Sequence, residues 1–119
     1  MSYGTALRAE IVRTLAFGAI GAGYVAITNG TDGPALLHRA RQIVLQNFTD
    51  QTLMFSLDGV NDHIPLLSNG SFVSDIASNK ITEDGMFVGK STIFYVKQIG
   101  AGAATSGAVY LSVFFALGD

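Results

Sequence analysis

Reactive side chains are scarce in this chain: two histidines, His38 and His63, no cysteine, and nine acidic residues among 119. The lack of cysteine removes thiolate nucleophiles, disulfides and cysteine-type zinc sites together. No Gly-x-Ser-x-Gly elbow presents a serine nucleophile. The stretch Gly21-Ala-Gly23-Tyr-Val-Ala26 does match the dinucleotide-binding pattern G-x-G-x-x-A. That chemistry needs a strand before the glycines, a helix after them whose N-terminus holds the pyrophosphate, and an acid about 20 residues further on. Here ITNGTDGP follows at 27–34 and ends any helix before two turns, and the acid is missing at that offset. The glycines are expected to allow a bend or a close approach of backbones.

Asp58, Asp62 and His63 offer oxygen and imidazole ligands that a divalent ion can use. Their spacing is not that of a calcium loop and the closing glutamate is absent, so a polar turn with Asp58-Gly59 at its tip is the expectation. His38 lies in LLHRAR at 36–41, which reads as a cation cluster facing solvent or an interface. Arg39 and Arg41 flank Ala40 at strand spacing and can project from one face. Two arginines without interleaved aromatics neutralise too little phosphate for a nucleic-acid site. Pairing with acids of another chain, around 58–62 or at Glu83-Asp84, suits them better. On these grounds no catalytic residue, cofactor or metal is assigned, and no specific nucleic acid is expected as a partner.

The elements that would position such residues belong to a chain with 49% hydrophobic and only 13% charged residues. Ordinary soluble domains carry about 25% charged residues at a similar apolar fraction. Either a neutral hydroxyl-rich surface keeps this chain in water, or part of its surface is covered by other chains. The net charge of −2 is unevenly spread, with four arginines against two acids up to Thr49 and three lysines against seven acids from Asp50 onward. The apolar stretch 15–28 is broken by Gly18, Gly21 and Gly23 and is shorter than the roughly 20 residues that span a bilayer. No membrane is expected as a partner.

The apolar period is mostly two. Strands are expected at 10–17 (with a short helix over 7–15 as the alternative), 24–28, 41–48, 52–58, 63–67, 71–76, 91–99 and 108–117. The segments 41–48 and 52–58 are expected to form a hairpin, and Pro65 suits an edge strand. At 108–117, Val109, Leu111, Val113 and Phe115 alternate with Ala108, Tyr110, Ser112 and Phe114. Apolar residues on both faces imply a central strand, or one whose outer face a neighbour covers, and Tyr110 and Phe114 are the candidate interface residues, with 15–25 beside them. Asx-Gly dipeptides at Asn29, Asp32, Asp58, Asn69 and Asp84 punctuate the runs. About eight short antiparallel strands with dense turns predict an all-β, single-domain β-sandwich over 1–119, a jelly roll among its forms, with 1–6 as an arm.

Several segments resemble small virion proteins of tailed bacteriophages: RTLAFGAI at 13–20, ARQIVLQNFTD at 40–50, MFSLDGVND at 54–62, NGSFVSD at 69–75, FYVKQI at 94–99 and SGAVY at 106–110. The likeness lies in the order and wording of segments between about Arg13 and Phe115. It implies a β-sandwich component of the particle, a homo-oligomer that packs against other virion proteins. Capsid decoration (cement) is one role for such proteins; a head–tail adaptor or tail ring is another. No catalytic residues come with it. A carbohydrate-binding sandwich using Tyr3, Tyr24, Tyr95 and Tyr110 is the alternative of a different class.

Overall fold

In the computed structural model, residues 7–75, 88–100 and 103–116 are described. Alternation of buried and half-exposed side chains builds the two longest strands. In β4 (Gln42–Asn47) Ile43, Leu45 and Asn47 point inward, and in β9 (Ala108–Ala116) Val109, Leu111 and Val113 do. The strands pair antiparallel with Ile43 opposite Val113 and Leu45 opposite Leu111, so their inner faces coincide. A slip of one residue would turn all of these side chains to solvent, which fixes the register.

Around this pair the first sheet is completed by β1 (Leu7–Ala9) and β2 (Arg13–Ala16), both on β9, and by β7 (Ser71–Asp75) on β4. The second sheet has the order β3 (Val25–Ala26), β8 (Tyr95–Gln98), β5 (Leu53–Ser56), β6 (Ile64–Leu66). Because β1 and β2 follow one another along β9, they act as one edge strand broken at 10–12. Counted that way, eight strands pair in nested order: first with last on β9, then β3 with β8, β4 with β7 and β5 with β6. This is a long hairpin rolled into two four-stranded antiparallel sheets, the connectivity of a jelly roll. The all-β sandwich expected from the sequence is therefore the fold. One apolar cluster lies between the sheets, with Ile43, Leu45, Leu111 and Val109 from one side and Leu53, Phe55, Val96 and Phe94 from the other.

Several local expectations change. The segments at 41–48 and 52–58 do not form a hairpin: β4 and β5 lie in opposite sheets and the chain turns the corner between them. The corner is built on Asn47, fully buried. Its Oδ1 accepts from the Thr49 N–H at 3.0 Å and the Thr49 hydroxyl at 2.6 Å, and its Nδ2 donates to the carbonyls of Gln51 and Leu66. An Asx turn of this kind redirects the chain more sharply than the alternating pattern suggests. The segment 10–17 is a strand with a break followed by a 3-10 turn at Phe17–Ala19, not a helix. In 91–99 only Tyr95–Gln98 is strand, and Ser91 adopts a left-handed φ of 76°. Pro65 lies in the edge strand β6, as expected. The arm at 1–6 and the acids Glu83 and Asp84 lie outside the described residues.

Candidate interaction surface

The break between β1 and β2 exists because two charged residues turn inward there. Glu10 and Arg13 form an ion pair at 2.8 Å with side chains almost wholly removed from solvent. Arg13 also donates to the carbonyls of Gly33 at 3.0 Å and Ala35 at 2.9 Å. Glu10 accepts from the Leu37 and His38 N–H groups and lies 3.1 Å from His38 Nδ1. Burial pushes the Glu10 carboxyl up, but hydrogen bonds from Arg13, His38 and the Leu37 amide outweigh it and hold it below its ordinary value. The His38 ring stacks on Phe115, centroids 3.6 Å apart and nearly parallel. His38 is thus a clamp that ties the 33–38 loop to β9, not part of a solvated cation cluster. Glu10, His38 and Arg13 resemble an acid–base dyad with an anion-binding arginine, yet the arginine is consumed by backbone carbonyls. Among the described buried side chains no nitrogen or oxygen lacks a partner.

The 57–63 loop is held by its own polar groups. Asp58 accepts from the N–H groups of Val60 and Asn61, each at 2.8 Å, and from the Asn61 side chain and the Ser56 hydroxyl. These bonds hold its carboxyl far below the usual range. Leu57 N–H donates to His63 Nδ1 at 3.0 Å, so this imidazole nitrogen is occupied as an acceptor. Asp62 accepts from the Tyr24 hydroxyl at 2.5 Å and pairs with Lys97 at 3.2 Å, and Lys97 lies 4.7 Å over the Tyr24 ring. Burial and the Asp62 hydrogen bond together push the Tyr24 phenol up to about 12. Gly59, with φ of 78°, sits where any Cβ would come 3.2 Å from the Tyr95 ring. Asp58, Asp62 and His63 therefore form the polar turn that the sequence implies. Among the described residues no three His, Cys, Asp or Glu side chains group at a spacing suited to a metal ion.

The third region is the outer face of the first sheet. Register aligns three rows across it: Thr14, Tyr110, Gln46 and Ser71; then Ser112, Val44 and Val73; then Phe114, Gln42 and Asp75. The outward positions of β2, β4 and β9 contain no Lys, Arg, Asp or Glu. Val73 is 60% exposed, and Phe48 at the end of β4 is 48% exposed, with its ring edge-on to Tyr110 at 5.7 Å. Tyr110 and Phe114 are half-exposed on this face, as the alternation at 108–117 requires. A face of Val, Tyr, Phe, Gln and Ser, uncharged on β2, β4 and β9, is suited to packing against protein and poorly suited to holding a small molecule.

Arg39 and Arg41 bracket the buried Ala40 and are half-exposed at the entrance to β4. Each already takes part in an interaction within the chain. The Gly21–Ala26 stretch has no helix after it; Gly21 accepts from the Gln98 backbone N–H at 2.9 Å, but a Cβ at Gly21 or Gly23 would meet nothing within 4 Å, so no close approach of backbones requires these glycines. Sequence reasoning missed the Glu10–Arg13 pair. Its signal was a pair of opposite charges, three residues apart, in an apolar segment of a chain poor in charge. Comparison with protein-family models, with curated proteins and with solved structures finds no match to this chain.

Proposed function

We propose that this chain is a non-enzymatic structural subunit of a tailed-phage particle, a capsid decoration protein that binds neighbouring virion proteins through the outer face of its first sheet. The observation that carries the reading is that face, centred on Val44 and Tyr110, whose outward positions on β2, β4 and β9 carry no charge, in a chain with 13% charged residues. The resemblance of its segments to phage virion proteins supplies the kind of particle. The chemistry of the two histidine clusters supports the same reading, since their polar groups hold loops together. A pressurised shell gains from interface spread over many joints, and apolar burial contributes about 25 cal/mol per Å² before the costs of association.

A carbohydrate-binding role has less support. Lys97 lies over one face of the Tyr24 ring and the Gly59 turn lies close against the Tyr95 ring, so each ring is already engaged within the chain. The test is a Val44→Lys, Tyr110→Lys double variant, which places charge on the face and leaves the core intact. The folded variant should be lost from purified particles, and those particles should break at lower temperature. Incorporation at the wild-type level would overturn the reading.

A further inference from the structure

The connections of a two-sheet sandwich gather at its two ends, and in this chain the ends differ in character. Ala16 pairs with Ala108 and Gln46 with Ser71 in the first sheet, and Leu53 with Gln98 and Leu66 in the second. The connections 17–24, 48–52, 67–70 and 99–107 therefore share one end. Together they hold one charged residue, Asp50, whereas 27–41, 57–63 and 76–94, which leave the strands at the other end, hold nine. Each connection at the charge-poor end presents one large apolar side chain. Leu67 is 72% exposed, Phe48 48%, Ile99 41% and Phe17 38%. Of these connections only Ala101 and Gly102 lie outside the described residues.

Polar groups at this end are engaged with one another. Phe17 N–H donates to the Gly107 carbonyl at 3.0 Å and Phe48 N–H to the Ala108 carbonyl at 2.9 Å. The Ser68 hydroxyl donates to the Thr49 carbonyl at 2.6 Å. Asp50 accepts from the Thr105 N–H at 2.8 Å and from the Thr105 hydroxyl. These bonds stitch the four connections into one platform whose large outward side chains are apolar. We propose that this end of the sandwich is a homodimerisation site, at which two copies of the chain meet end to end about a two-fold axis.

Charge and size identify the occupant. An end-to-end pair leaves both charge-rich ends in water and opposes no charges except Asp50 and its counterpart. Packing the apolar end against the charged end of another copy would instead take charges out of water without partners. A lipid surface is the poorer fit, because interfacial binding leans on Trp and on Lys or Arg beside the apolar residues, and these connections contain none of the three. The two shorter dimensions of the molecule, 30 and 22 Å, give an end on the order of 600 Å² in projection. Protruding side chains raise its accessible area toward the roughly 800 Å² per partner of a standard interface. The inference goes beyond the assembly role proposed above and does not rest on it. A chain that dimerises here yet is absent from particles would overturn that role alone.

Sedimentation equilibrium of the purified chain should find a species of twice the 12.5 kDa chain mass that dissociates on dilution. Sodium sulfate should strengthen the association, since excluded salts favour apolar burial, whereas contacts between exposed charges weaken with salt. Leu67→Glu combined with Ile99→Glu places two acids on exposed positions of the end. This double variant should sediment at the chain mass with a melting temperature close to wild type. Val60→Glu, the same kind of change in the 57–63 loop at the opposite end, where Val60 is 78% exposed, should leave the dimer intact. The sulfate response uses the wild-type chain, so it decides the question even where the double variant does not fold. A wild-type chain that stays monomeric at every concentration, whether or not it floats with phosphatidylcholine vesicles, would overturn the proposal. So would a dimer that sulfate dissociates, a dimeric double variant, or a monomeric Val60→Glu.

Discussion

Replacing Arg13 by methionine tests whether the buried charges of this sandwich are structural. The guanidinium is fully buried and makes three kinds of contact: the Glu10 carboxylate at 2.8 Å and the carbonyls of Gly33 and Ala35 at 3.0 and 2.9 Å. Methionine fills much of the same volume but donates nothing, so the Glu10 charge loses its counter-ion and two carbonyls lose their donor. Removing one partner of a buried pair costs about 3–5 kcal/mol. For a domain of this size each kcal/mol moves the melting temperature by about 4 °C, so the expected fall is about 12–20 °C. Urea titration followed by circular dichroism measures it directly, with an unchanged slope showing that the native state has kept its compactness. Glu10→Gln in the same background should recover part of the loss, because an amide needs no counter-ion. The two substitutions should therefore couple by about 1 kcal/mol or more. An Arg13→Met protein that melts within about 2 °C of wild type would refute the structural assignment and return Glu10, Arg13 and His38 to consideration as a working site.

Acid should destabilise the protein through the same carboxyl. Glu10 has a folded value lowered from its ordinary 4.5, so its contribution is complete above that value and is lost as the pH falls through the lower, folded one. Urea midpoints measured across the acid range should drop there, and Glu10→Gln should flatten the drop. Gly107 has φ of 89°, and a Cβ at that position would lie 2.0 Å from the Phe48 carbonyl oxygen. Gly107→Ala should therefore cost about 1–3 kcal/mol or more, read as a lower thermal midpoint. Spectrophotometric titration should find the Tyr24 phenol ionising near 12. Asp62→Asn should bring it down while leaving the melting temperature close to wild type, since this contact is at the surface.

The period-two pattern made the sandwich legible because alternation at 41–48 and 108–117 reports burial on one face of a sheet. Pro65 marked its edge for the same direct reason, a missing donor. The pairing of strands was less legible. Proximity in sequence suggested that 41–48 and 52–58 form a hairpin, whereas the buried Asn47 and its bonds to Thr49 and Gln51 carry the chain from one sheet to the other. A side-chain hydrogen-bond hub leaves no periodic trace. The His38 clamp was hidden likewise, because its partners Glu10 and Phe115 lie 28 and 77 positions away in sequence. Part of the outer face was legible as well. Tyr110 and Phe114 stand on the outer face because the inner positions between them are filled by Leu111 and Val113. The rest of that face, Val44 and Val73 above all, emerges only when register places three strands side by side.

The most direct test of the structural-subunit assignment is the number of copies of this chain per purified particle, measured by quantitative mass spectrometry against the major capsid protein. Decoration of the shell predicts copies on the order of hundreds, in a fixed ratio to the capsid subunit. A ring of about six or twelve would move the protein to the tail axis. Its absence from intact particles would contradict the account.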